Sequence, residues 1–169
     1  MDVDDTSLGK ILEGSNQYLV PLYQRPYSWG NKNWLKMWED ILELAEARKI
    51  NMAASHFTGT LVLEASSVTA GLTKFVVVDG QQRLTTLSLL LAAITREWDN
   101  SDNEQAAKRI REQYLINTYA ESFDARFRLR PANEDEGVYR DALEGKKMSP
   151  RVSKISQAFA FFQRQIGKL

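Results

Sequence analysis

Asp79-Gly80-Gln81-Gln82-Arg83 is the densest group of side chains in this chain able to do chemistry, and it follows directly on the β-favouring run Phe75-Val76-Val77-Val78. A helical apolar pattern then continues to Trp98. A strand that ends where a helix begins presents unpaired N–H groups and the positive end of the helix dipole, which suits an anion such as phosphate. Gly80 allows backbone conformations that side chains disfavour and lets a ligand approach closely. Asp79 can hold a metal-bound water or cap the turn. Gln81 and Gln82 can donate to phosphate oxygens or orient a water, and Arg83 offers a planar fork of donors that fits phosphate. Thr85 and Thr86 fall in the first helical turn, within reach of the same anion. The plainer reading is an Asp-Gly β-turn with a solvated arginine. No Gly-Lys-Ser/Thr follows, so the turn is not a Walker A loop.

A second group lies in the loop Tyr23-Gln24-Arg25-Pro26-Tyr27-Ser28-Trp29. Gln24 and Arg25 can bind phosphate or base edges, and Tyr23, Tyr27 and Trp29 offer stacking surfaces or apolar walls. The competing reading is that the aromatics anchor the loop to the core. His56 is the sole histidine and stands just before Gly59. It is open to a general-base or phosphate-binding role, against a structural one. Arg126, Arg128 and Arg130, with Arg109 and Arg111 upstream, form either a basic surface for DNA or a solvated strand face, the latter being favoured.

The elements that position these groups read as mixed α and β. Thr6 or Ser7 caps a short helix that stops near Gly14. A β-like segment runs over 17–22, with Pro21 marking its end or an edge position. Asn31 or Asn33 caps a helix on which Trp34, Trp38, Ile41, Leu42 and Ala45 repeat at helical spacing. Strands at 61–63 and 74–78, joined by a polar loop over 64–73, form a hairpin or a neighbouring pair. The next helix puts Leu84, Leu87, Leu91, Ile94 and Trp98 on one core face. An amphipathic segment over 103–115, a strand over 126–130 with its basic side exposed, and helices near 134–144 and 150–167 complete the chain. The last helix carries Ile155, Phe159, Phe162 and Ile166.

Composition bounds the class. The chain has 169 residues, 43% hydrophobic and 26% charged, as expected of a globular protein with a proper core. Lys+Arg and Asp+Glu balance at 22 each, so any nucleic-acid contact must come from a local patch. No cysteine is present, which excludes disulfides and thiolate metal sites and fits a reducing cytoplasm. No signal peptide or bilayer-spanning run is visible, so a cytoplasmic location with no membrane partner is expected. The helical pattern running to Leu169 without a terminal cap suggests a fragment of a longer chain.

Four motifs then stand in a telling order: Tyr23-Gln-Arg-Pro-Tyr-Ser-Trp29, the Asp40-Ile41 pair, His56-Phe57-Thr58-Gly59, and Asp79-Gly-Gln-Gln-Arg-Leu-Thr-Thr86. Over roughly residues 5–165 the chain resembles the N-terminal domain of GmrSD-type restriction proteins. That group is related to the ParB/sulfiredoxin fold and includes the SspE proteins that sense DNA phosphorothioation.

The resemblance implies an α+β fold, with a ParB/sulfiredoxin-like nucleotide-binding core over 1–100. A helical extension over 101–169 would belong to the same domain. It implies NTP (GTP or ATP) as substrate, bound and hydrolysed at Asp79, Gly80, Gln81, Gln82 and Arg83 with Mg2+ on Asp79, and with Thr85, Thr86 and Arg25 helping to hold the phosphates. His56 joins the catalytic set. Tyr23, Gln24, Arg25, Tyr27 and Trp29 would form the pocket for modified DNA.

DNA and an HNH-type nuclease domain are the implied partners, and homodimerisation stays open. No HNH motif is present in this chain, so the cutting would be done elsewhere. A ParB-like DNA nickase and a non-hydrolysing nucleotide-binding or protein-docking module remain as alternatives. A sulfiredoxin-like phosphotransferase is disfavoured, because that chemistry relies on a cysteine.

Overall fold

The computed structural model describes residues 6–69, 72–99, 101–120, 122–149 and 153–169. Its elements are α1 (Leu8–Leu12), β1 (Asn16–Leu19), α2 (Asn31–Ile50), β2 (Val62–Thr69), β3 (Leu72–Asp79), α3 (Gln81–Trp98), α4 (Glu104–Ile110), β4 (Leu129–Arg130), α5 (Asn133–Leu143) and α6 (Lys154–Ile166). A π turn, Arg111–Leu115, extends α4. The four-stranded sheet has the order β2-β3-β1-β4. β2 and β3 pair antiparallel, while β1 runs parallel to both β3 and β4. The α+β class read from the sequence is therefore the observed one.

α3 is the central helix. Its apolar residues are too numerous for one stripe, and Leu84, Leu89, Ala92 and Ala93 are all buried. A helix that is apolar nearly all round must be covered on several sides. α6 packs on it most extensively, with α4 and α5 on other faces. α6 brings Ile155, Phe159 and Phe162, as its periodicity predicts, and pairs Phe161 with Trp34 and Phe162 with Trp38 of α2 at ring separations of 5.8 and 6.5 Å. Aromatic pairs at such distances add to the stabilisation given by area burial alone.

Several local expectations are corrected. Ser7 does cap α1, accepting from Lys10 N. The cap of α2 is Gly30, however, and Asn33 reaches back from the first turn to accept from Gly30 N at 3.4 Å. β1 ends at Leu19 rather than running to Leu22; Pro21 brings no N–H to a ladder, and its carbonyl accepts from Gln24 N in a turn. Most of the expected loop over 64–73 is strand, because serine and threonine tolerate a pleated edge. Register shifts at Val62/Leu63 and Ala65/Ser67 absorb the mismatch. Residues 70–71 of that loop lie outside the described residues.

The strand expected over 126–130 is only Leu129–Arg130, and its basic side is not all solvated. Arg128 is 7% exposed, with Nη2 donating to Glu112 O at 3.0 Å and Nη1 to Gly14 O. α6 begins at Lys154, capped by Ser153, and the expected start at 150–152 lies outside the described residues. Among the described residues no helix is long and apolar enough to cross a membrane.

Candidate functional site

β1 and β3 are parallel neighbours, so the segments leaving their C-terminal ends emerge side by side. From β1 comes the loop over 21–29, and from β3 the Asp79–Arg83 turn. Gly80 stands at the N-cap of α3 with φ 92°, a left-handed conformation, and no side chain caps the helix. The first intrahelical bond is Leu84 N to Gly80 O at 3.0 Å. The N–H groups of Gln81, Gln82 and Arg83 have no acceptor among the described residues. Adding a Cβ at Gly80 would bring it 2.7 Å from Leu61 Cδ1.

The glutamines of the turn build the site wall. Gln82 is buried, and its whole amide is committed to the facing loop. Its Oε1 accepts from Ser28 N at 2.9 Å and Trp29 N at 3.3 Å, and its Nε2 donates to Pro26 O at 3.3 Å. Gln81 Nε2 donates to Arg25 O at 3.2 Å. From the other direction, Gln24 Nε2 donates to Val77 O at 2.7 Å and Val78 O at 2.9 Å. β1 has already ended there, so Gln24 takes the place of a strand partner at the Val77 carbonyl and ties the loop to the end of β3.

Tyr27 is buried. Its hydroxyl bonds Thr86 Oγ1 at 2.7 Å and accepts from Trp34 Nε1 at 2.8 Å, and burial pushes its pKa up to about 12. Its N–H donates to Asp135 Oδ2 at 2.6 Å, and burial raises the pKa of that carboxyl.

These contacts sort the residues singled out in the sequence. Tyr27, Gln82, Thr85 and Thr86 are buried, and Tyr27, Gln82 and Thr86 set the loop in place, so what they offer a ligand is indirect. Gln82→Ala leaves two loop N–H groups without an acceptor. We expect it to cost about 1–3 kcal/mol of stability, read as a lower midpoint in urea unfolding. Trp29 is partly buried against the core. Tyr23, by contrast, is 82% exposed. The Arg25 side chain is exposed and makes no hydrogen bond or ion pair among the described residues, although its own carbonyl is pinned by Gln81.

Arg83 folds back over the segment before β2. It donates from Nη1 to Thr58 O at 3.2 Å and from Nη2 to Thr60 O, and it stands 3.6 Å from Asp79 Oδ2. Gly59 lies directly beneath the guanidinium with φ 99°, and a Cβ there would collide with Arg83 Nη1. The Asp79 side chain is 69% exposed.

His56, two residues before the Thr58 carbonyl, has Nε2 3.5 Å from Asp40 Oδ2. Asp40 is mostly buried and is also bound by Lys36. Three participants carried no assigned role in the sequence reading: Asp40 as the partner of His56, Gly59 as the seat of Arg83, and Asp135 as the anchor of Tyr27. The Asp40-Ile41 and His-Phe-Thr-Gly motifs held a signal for the first two. Asp135 lies 108 residues from Tyr27 and gave none.

Among the described residues no cluster of three or more acidic or histidine side chains is arranged as a metal cage. Asp79 alone offers an exposed carboxylate at the turn. That donor set fits a Mg2+ ion whose remaining ligands are phosphate oxygens and water, the usual mode for this ion.

An α+β scaffold brings the loop over 21–29, the His56–Gly59 segment and the Asp79–Arg83 turn to one region of the chain. The chain belongs to the family of the GmrSD restriction endonuclease N-terminal domain, whose model it matches over residues 8–168. No curated protein matches it.

Proposed function

We propose that this chain is the NTP-binding and NTP-hydrolysing sensor portion of a modification-dependent restriction protein. It would recognise modified DNA, such as phosphorothioated DNA, and regulate an HNH-type nuclease domain. One observation carries the nucleotide half of this reading. The free N–H groups of Gln81, Gln82 and Arg83 and the exposed Asp79 carboxylate stand where two parallel strands end, and the backbone of Arg25, whose side chain is unengaged among the described residues, is held beside them by Gln81. Ligands of open α/β sheets bind in that position.

In this account the triphosphate lies over the N-terminus of α3. Arg25 is the mobile cation that closes on it, while Arg83 is the fixed one, held by Thr58 and Thr60. Gln81 uses Nε2 to hold Arg25 O, which leaves Oε1 free to orient the attacking water; the Oε1 of Gln82 already accepts from two loop N–H groups. His56, paired with Asp40 at 3.5 Å, would take a proton from water or contact phosphate. A Mg2+ ion bound through Asp79 would neutralise charge on the phosphates.

For DNA, the exposed Tyr23 borders a groove of about 500 Å3 lined by Leu19, Pro21, Glu64, Ala65, Ser66 and Val76.

The test is phosphate release from ATP, GTP, CTP and UTP with Mg2+, with and without phosphorothioated DNA. Turnover of at least one nucleotide, altered by modified DNA and weakened in KM by Arg25→Ala, is the expected result. Binding without phosphate release would replace hydrolysis with a non-hydrolysing switch.

A further inference from the structure

A second cleft, of about 540 Å3, opens at the other end of the sheet, beside Gly14 and Ser15 where the chain enters β1. The length of β1, roughly 13 Å, separates it from the strand ends that carry the turn. Its walls come from α4 and its π turn (Gln105, Lys108, Arg109, Glu112, Gln113), from the turn Asn117–Tyr119, and from Arg128.

Three features give it a chemistry. Lys108 and Arg109 are both exposed; Arg109 has no side-chain partner among the described residues, and Lys108 reaches only Glu112, at 4.0 Å. Arg128 is buried in the floor with no carboxylate partner among the described residues. It bonds only the carbonyls of Gly14 and Glu112, and its Nε is buried with no acceptor. A buried guanidinium without a counter-charge favours an anion nearby. Tyr119 stands 92% exposed at the rim, where an aromatic face is open to stacking.

The negative groups facing the cleft are Glu112 and, through its bond to Gln113, Glu13. The amides of Gln105, Gln113 and Asn117 add neutral donors and acceptors.

We propose that this cleft binds an unpaired nucleic-acid strand, with backbone phosphates on Lys108 and Arg109 and a base stacked on Tyr119. The site is independent of the nucleotide turn, so the two proposals fail separately. A duplex buries its bases in the stack and cannot use Tyr119, which is why the occupant is single-stranded. A chain with balanced overall charge has no diffuse field to hold DNA, so contacts of this kind must be local.

The experiment is fluorescence anisotropy with a labelled oligothymidylate of about 20 nucleotides and a duplex of equal length, titrated at several salt concentrations. Lys108→Gln/Arg109→Gln should weaken strand binding about tenfold or more and make the log K against log salt slope shallower by about 1.4. Tyr119→Ala should weaken the single strand at least about fivefold and leave the duplex unchanged. Asp79→Ala should bind the strand like wild type, and the cleft variants should keep the wild-type far-UV circular dichroism and urea midpoint, showing that they fold. Wild-type affinity and salt slope in the double variant, equal loss of both DNA forms in Tyr119→Ala, or no strand binding by the wild type would overturn the proposal.

Discussion

Arg83→Ala should lower NTP turnover by about 10³- to 10⁵-fold, the scale on which an arginine supplied to a phosphoryl-transfer transition state acts. The geometry makes this more than a charge deletion. Arg83 bonds the Thr58 and Thr60 carbonyls on either side of Gly59, so its removal also frees the segment that carries His56. Arg83→Lys separates the two roles. A lysine is a point charge and cannot span both carbonyls in a fixed fork; it should recover some of the lost stability, while turnover stays about 10²-fold down. Asp79→Ala is the companion variant. Its carboxylate is exposed and its pairing with Arg83 is solvated, so folding should change by at most about 1 kcal/mol while hydrolysis is lost. Near-wild-type turnover in either alanine variant would remove the turn from the mechanism.

Gly59→Ala should match that loss without removing any polar group. The backbone at Gly59 has φ 99°, which L side chains rarely adopt, and the new methyl would occupy the place of Arg83 Nη1. The strain should cost about 1–3 kcal/mol. The larger effect is that Arg83 must leave its two carbonyls. Because both substitutions act through one guanidinium, the Gly59→Ala/Arg83→Ala double variant should be little slower than Arg83→Ala alone. Gly137 in α5 is the contrast, since nothing lies within 4 Å of a Cβ built there. Gly137→Ala should gain up to about 1 kcal/mol and leave turnover unchanged. Additive losses in the double variant would mean that Gly59 acts by some route other than Arg83.

Much of this arrangement was legible in the sequence, where local periodicity and turn chemistry dominate. The strand–Asp-Gly–helix order, the α6 core stripe and the β2–β3 pairing follow from patterns a few residues long, whereas the α2 stripe holds only at its start: Trp34 and Trp38 are buried, Ile41 and Leu42 half-buried and Ala45 exposed. Side-chain direction within polar segments did not follow. Gln81 and Gln82 are adjacent and chemically identical, yet Gln82 turns wholly into the loop over 26–29 while Gln81 keeps one oxygen free. Only the position of that loop, set by the parallel β1–β3 pairing, distinguishes them.

Tyr27 reads as a stacking surface until its hydroxyl is seen between Thr86 and Trp34. Arg128 alternates like a solvent-facing strand residue, yet the carbonyls that receive it come from Gly14 and Glu112, remote in sequence. Each of these outcomes is decided by tertiary neighbours that no local spacing encodes.

The central claim is that phosphates rest on the open N-terminus of α3 between Asp79, Arg83 and Arg25. Amide ¹⁵N NMR of the protein titrated with a nucleoside triphosphate and Mg2+ tests it most directly. The account predicts that the largest shifts fall on the N–H groups of Gln81, Gln82 and Arg83, with Thr58–Thr60 following, and that Asp79→Ala greatly reduces them. Shifts centred on Lys108–Tyr119, or none at the α3 N-terminus at saturating nucleotide, would contradict it.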